Sequence, residues 1–206
     1  MTSAARPFQL TALALASTAA VLALGTSARP AAAAATCGGT VEHPFRPWVD
    51  PAAYTLTPGG TFESSTPSWK LAGGAKLVAG NEPFEVHGSA DRKALSIPAG
   101  GSATSPAQCV DLVSPTLRFF AVGGSPTSLL KVDVIYRTVL GTFTQPVTLI
   151  PAKRSWGPTT QALILANATG LLSLDGLTSS VQFRFTALGS SGWQVDDVYV
   201  DPWKTT

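Results

Sequence analysis

Apolar and polar residues alternate with a period of two through much of the second half of the chain. From Val181 to Ala187, the residues Val181, Phe183, Phe185 and Ala187 fall on one parity and Gln182, Arg184 and Thr186 on the other. This is the pattern of a half-buried antiparallel strand. Leu129 to Arg137 repeats it, with Leu130, Val132, Val134 and Tyr136 predicted inward and Lys131, Asp133 and Arg137 outward. Shorter extended runs are predicted at Thr61 to Glu63, Trp69 to Leu71, Ala75 to Ala79, Phe84 to Val86, Ala94 to Ile97, Leu117 to Val122, Val147 to Ile150 and Ala162 to Leu165. Turn-forming Gly, Pro, Ser and Asn separate them. No window sustains a helical period with caps, although Thr160 to Leu174 is ambiguous and has room for one helical turn. Many short strands at close spacing predict an all-β fold, an antiparallel β-sandwich.

The last alternating run, Gly192 to Trp203, breaks its own pattern: Asp196 and Asp197 stand side by side among Val195, Val198, Tyr199 and Val200. Neighbours on a strand point to opposite faces, so one carboxylate is expected to face inward or into an edge pocket. Burying that charge requires a cation, a cluster of donors or a raised pKa.

The first thirty-five residues change the picture of the domain. Arg6, the apolar run Phe8 to Leu24 and the small residues Ala31 to Ala35 read as a cleaved export signal, 1–35, rather than as structure. A lead-in rich in proline and aromatic residues, 36–58, is expected to lie over the body of the domain, and 59–203 to form the sandwich. About 170 residues suffice to bury a proper core. The expected location is secreted or extracytoplasmic. The only cysteines, Cys37 and Cys109, then most simply form one disulfide. Closing a loop of about seventy residues would stabilise the fold by at most about 4 kcal/mol.

Charge excludes some partners. Without Arg6 and Arg29 the basic and acidic residues are about equal in number. Adjacent basic residues occur only at Arg92-Lys93 and Lys153-Arg154, which argues against nucleic acid or an anionic membrane as partner. No second apolar stretch approaches a bilayer span, so no membrane association is expected after signal cleavage. Catalytic motifs are also lacking: His43 and His87 have no motif around them, and no nucleophile elbow or metal-protease signature occurs. Glu82 and Glu85 are the one pair available for glycosidase chemistry, yet beside Asn81 and Pro83 they read as solvated loop acids. The chain is therefore expected not to be an enzyme.

Taken in order, Gly60-Thr61-Phe62-Glu63, Trp69, Gly73-Gly74-Ala75, Ala94-Leu95, Leu117-Arg118-Phe119 and Trp193-Gln194-Val195-Asp196-Asp197-Val198 resemble the galactose-binding-like jelly rolls. That group includes carbohydrate-binding modules of secreted glycosidases. The resemblance implies a jelly-roll sandwich and a structural calcium tying the first strand to the last, with Glu63, Asp196 and Asp197 as ligands. Calcium suits carboxylate and carbonyl oxygens. Read from the residues alone, the same acids equally suit turn caps paired with Arg118 or Lys76. The resemblance further implies a polysaccharide or glycan ligand stacked on an aromatic platform. Trp156, between Ser155 and Gly157-Pro158, is the exposed platform candidate, with Arg184, Asp133 and Gln182 as polar partners. A structural or adhesive envelope protein without a small ligand is the other expectation.

Overall fold

The computed structural model describes Met1 and residues 39–64, 68–111, 115–138, 140–164 and 178–201. The expected signal, Cys37, Leu165 and Trp203 lie outside the described residues. Backbone contacts separate Met1–Ala32 from Ala33–Thr206, and the fold described is that of the second unit.

The strands in chain order are β1 (Val41–Glu42), β2 (Tyr54–Leu56), β3 (Lys70–Ala72), β4 (Lys76–Ala79), β5 (Lys93–Ile97), β6 (Ser102–Thr104), β7 (Gln108–Asp111), β8 (Thr116–Gly123), β9 (Leu129–Thr138), β10 (Gly141–Pro151), β11 (Lys153–Pro158), β12 (Ala162–Leu163), β13 (Thr178–Leu188) and β14 (Trp193–Asp201). They form two antiparallel sheets, a β-sandwich of jelly-roll type. In one, β14 is central. It pairs with β8 along one edge and with β5 and then β2 along the other, with β4, β1, β11 and β12 outside them. The other sheet runs β10-β9-β13-β6-β3, with β7 beside β13.

Alternation explains the layer between the sheets. The predicted inward residues Val132, Val134, Val181, Phe183 and Phe185 are fully buried and meet Leu95, Ile97, Phe119, Val195, Val198 and Val200 of the β14 sheet. Phe119 crosses to Phe185 edge to face, with ring centroids 5.0 Å apart. Trp69, between Phe62 and Phe185, closes the layer from the side.

A second, smaller core lies on the opposite face of the β14 sheet. The lead-in folds over that face and seats Phe45 against Tyr54, Phe120 and Tyr199. The Arg118 guanidinium lies 4.4 Å over the Phe45 ring and forms an ion pair with Asp50, both side chains being only 10% exposed. Asp50 also accepts from Tyr54 at 2.7 Å, Gln161 at 2.9 Å and the Ala52 amide at 3.2 Å. Burial pushes its pKa up, but these donors together hold the carboxyl below its ordinary value. Arg118 Nε donates to the Thr159 carbonyl at 2.7 Å, so the charge is enclosed on every side that the described residues supply.

Several local expectations are corrected. Thr61 to Glu63 is a turn rather than a strand, because Phe62 has φ 59° and its amide closes on Gly59. Phe84 to Val86 is also a turn, with Glu85 at φ 52°. The lead-in is more than a cover, since β2 adds directly to the central strand β14. Trp156 sits within β11 rather than in a loop, because Gly157 and Pro158 register with Ala121 and Phe120. Its ring is half-buried and packs on the Phe45 cluster. The ambiguous segment opens with the two-residue strand β12, and 165–177 lies outside the described residues.

Removing one partner of a buried ion pair leaves the other charge unpaired, at a typical cost of about 3 to 5 kcal/mol. Asp50→Ala is therefore expected to destabilise the domain by about that amount in denaturant unfolding. A loss under about 1 kcal/mol, the range of an exposed pair, would show that the lead-in is not fastened as described.

Candidate functional site

Two arrangements collect the chemistry that the sequence singles out, one on each sheet. On the outer face of the β13 sheet, Arg184 lies directly across from Asp133 and Thr186 across from Lys131. The expected outward parity is observed, yet Asp133 is buried. Its side chain is only 2% exposed, covered by Lys131 at 3.0 Å from Oδ1 and Arg184 at 3.3 Å from Oδ2. The Lys131 contact is an ion pair without good hydrogen-bond geometry, since Oδ1 has no hydrogen-bond partner. Gln182, one step along β13, donates to the Ser105 carbonyl at 2.9 Å. Arg184, Asp133 and Gln182 thus share one face. Trp156 belongs to the opposite sheet, packed toward the second core.

The second arrangement is a bulge in β14. Pairing with β8 slips between Asp196 and Tyr199, and Asp197 takes φ 46°, a left-handed conformation that is costly for a residue with a Cβ. The turn 57–60 clamps the bulge. Thr57 N–H donates to the Val198 carbonyl at 2.8 Å and Val198 N–H to the Gly60 carbonyl at 3.2 Å. A Cβ at Gly60 would stand 2.8 Å from the Val198 oxygen, so the turn requires glycine there. The bulge buries both acids instead of sending one to solvent: Asp196 and Asp197 are 0% and 1% exposed.

Glu82 joins them, contrary to the solvated role read from its loop. It is also buried, and its carboxylate accepts the amides of Phe84 and Val86. Asp196 accepts the Glu82 amide at 3.3 Å and the Asp197 amide at 2.9 Å. Both oxygens of Asp197 lack a hydrogen bond. The His87 amide acts to lower its pKa, against the larger effect of burial, without closing a bond of good geometry. Burial, then the charge of Asp197, pushes the Asp196 carboxyl up to about 9. Burial, then the charges of Glu82, Asp91 and Glu42, pushes Asp197 up to about 7. Tyr199, buried beside Asp197, is raised as well, and its hydroxyl donates to Glu42 of the lead-in at 2.9 Å.

Glu63 is engaged elsewhere. Its Oε1 takes the amides of Arg92 and Lys93, both at 2.6 Å, and its charge acts on Asp91. Among the described residues no group of three His, Cys, Asp or Glu side chains is disposed to hold a metal. The fit to calcium is therefore one of kind: a buried carboxylate with two unused oxygens among acids is what a hard cation would satisfy. Asp197 is the residue that would hold it first, with Asp196 and Glu82 beside it. General acid or base work by these groups is opposed by their burial, because a proton donor must come within hydrogen-bond reach of substrate.

A groove of about 370 Å³ on the β4 edge, lined by Leu77, Val78, Ala79, Arg92, Lys93 and Ser64, includes none of the expected ligand residues.

No protein-family profile matches the chain, and no curated protein matches it in sequence. Solved structures similar to it include carbohydrate-binding modules and an adhesin domain. The N-terminal modules of an endo-1,4-β-D-xylanase from Clostridium thermocellum complexed with xylohexaose align at TM-score 0.48 and 15% identity, over 71% of this chain and 28% of that one. The chain thus spans little more than a quarter of that protein. A xylan-binding domain from Paenibacillus barcinonensis aligns at TM-score 0.46 and 15% identity, over 71% and 94%. The K1 cleaved adhesin domain of Lys-gingipain from Porphyromonas gingivalis aligns at TM-score 0.44 and 14% identity, over 70% and 96%. The likeness lies in the arrangement of the sheets, and what the neighbours bind is their own property.

The two raised carboxyls give a pH dependence of definite sign. Both bind protons more tightly folded than unfolded, so stability is highest near and below about pH 4 as far as these groups decide it. It falls as pH rises through about 7 and toward about 9. In chelator the thermal midpoint is expected to fall across this window. Asp197→Asn, which removes a buried unpaired charge, is expected to raise the midpoint at pH 8 by several degrees and flatten the slope. A midpoint rising from pH 4 to 8 in chelator would contradict the burial of both acids.

Proposed function

We propose that this chain is an exported, non-catalytic glycan-binding module that presents the outer face of the β13 sheet to a polysaccharide. The observation that carries the reading is the division of labour between the two sheets. The lead-in and its Arg118–Asp50 clamp occupy the outer face of the β14 sheet. The β13 sheet keeps a polar outer face on which Asp133 holds Lys131 and Arg184 in place. Such groups lose little conformational freedom on binding, which favours affinity from a small contact. Guanidinium, ammonium, hydroxyl and amide groups supply the donors and acceptors that sugar hydroxyls require.

Three further parts of the reading support one another. Residues 1–35 serve as a cleaved signal, a reading carried by Arg6, the apolar run Phe8 to Leu24 and the small residues Ala31 to Ala35. Export permits a Cys37–Cys109 disulfide; Cys109 on β7 is not a free thiol, and Cys37 lies outside the described residues. Calcium at Asp197, whose two carboxylate oxygens have no hydrogen bond, supplies the counter-charge that the bulge lacks. A cation bound only by the folded state adds about 2.7 kcal/mol at a hundredfold excess over its Kd.

The mature protein on a panel of polysaccharides is expected to bind at least one. Asp133→Ala and Arg184→Ala should each weaken that binding about tenfold, the effect of losing one charge-assisted hydrogen bond, while Trp156→Ala should not. Binding that survives both β13-sheet substitutions, or an empty panel, would defeat the reading. Millimolar calcium is expected to raise the thermal midpoint and EDTA to lower it, with Asp197→Asn abolishing the difference. Indifference of the wild-type midpoint would remove calcium while leaving the glycan face standing.

A further inference from the structure

The same face is uneven in charge, and this points to the class of glycan it takes. The strands of the β13 sheet carry four basic residues, Lys70, Lys131, Arg137 and Arg184, against two acids, Asp133 and, at the far end of β7, Asp111. Asp133 is buried and shared by two cations, Lys131 and Arg184, so the trio retains a net positive charge. Lys70 and Arg137 are exposed and enter no ion pair among the described residues.

Register places these groups together. Lys70 pairs with Thr104, Thr104 with Arg184 and Arg184 with Asp133, all in one row across the sheet. At the usual strand spacing Lys70 and Arg184 stand about 10 Å apart, with a threonine between them. The next row runs Ala72, Ser102, Thr186 and Lys131. Arg137 follows Asp133 on the same parity of β9, two outward positions further on.

Among the described residues, this face also carries no stacking platform. The outward positions of β3, β6, β9 and β13 named above, with Gln182 and Ile135, include no aromatic side chain. A neutral pyranose chain therefore finds hydroxyl partners but no ring to lie on. A carboxylate on the sugar changes the balance, because arginine donates two parallel hydrogen bonds to it and lysine meets it as a point charge.

We propose that the outer face of the β13 sheet selects acidic polysaccharide, a chain bearing carboxylate groups, over neutral glycan. The proposal rests on the reading of this face as a glycan site. The ligand carboxylates lie over Arg184 and Lys70 and the hydroxyls over Thr104, Thr186 and Ser102. Asp133 keeps Arg184 and Lys131 upright and does not itself meet the ligand.

The test compares polygalacturonate, its fully methyl-esterified form and neutral xylan as ligands for the mature protein, at low and at high salt, with double-stranded DNA as a polyanion without sugar acids. Polygalacturonate is expected to bind at least about tenfold tighter than the ester, the worth of one charge-assisted contact, and to weaken as salt rises. Lys70→Gln and Arg184→Gln should each reduce this preference, while a thermal midpoint equal to wild type shows that the variants remain folded. Equal binding of acid, ester and xylan would overturn the charge selection and leave the glycan reading intact. Failure to bind any of the three polysaccharides would overturn both. DNA binding as tight as polygalacturonate would overturn the proposal by reducing the face to a general polyanion surface.

Discussion

The structure depends on a strand, β14, that is buried on both faces while carrying two adjacent carboxylates. A strand with cover on both sides is ordinarily a continuous apolar run. Here Val195, Val198 and Val200 serve the inter-sheet core and Tyr199 serves the second core under the lead-in. Asp196 and Asp197 fill the slip between those two duties. The bulge lets the strand change partner from β5 to β2 on the same edge, and Asp197 in a left-handed conformation is what the change costs locally. Glu82 and Glu42 gather around it from two other segments, with Tyr199 of β14 itself, so the acidic centre also ties the lead-in and the 80s loop to the central strand.

A division between the two outer faces follows. Covering the β14 sheet requires a fastening that holds the proline-rich segment before β2 against it, and the Arg118–Asp50 pair with its ring of donors provides one. Polar residues outward on the β14 sheet are thus absorbed into structure. Those outward on the β13 sheet are ordered by one buried aspartate and keep much of their exposure.

Legibility in the sequence followed the range of the interaction. Strict alternation in Val181 to Ala187 and Leu129 to Arg137 located both strands and their faces, because a period of two is local. The adjacent aspartates were visible as an anomaly for the same reason. Glu82 was hidden, since nothing near Asn81 and Pro83 announces that its loop closes over β14. The Asp50–Arg118 pair spans 68 residues and has no periodic trace. Trp156 looked like a loop residue because Gly157-Pro158 is ordinarily a turn, whereas here both residues register against β8 at its edge, where proline is tolerated. Thr61 to Glu63 has strand composition, but Gly59 and Phe62 both take positive φ and fold it into the turn that clamps the bulge.

The charge state of the bulge is the most direct point of test. Carbon-13 NMR titration of the aspartate side-chain carboxyls, in chelator, should show Asp197 titrating near 7 and Asp196 higher, near 9. Midpoints for both near the ordinary carboxylate value of about 4 would mean that the two acids are solvated, and the account of a doubly covered central strand would be wrong.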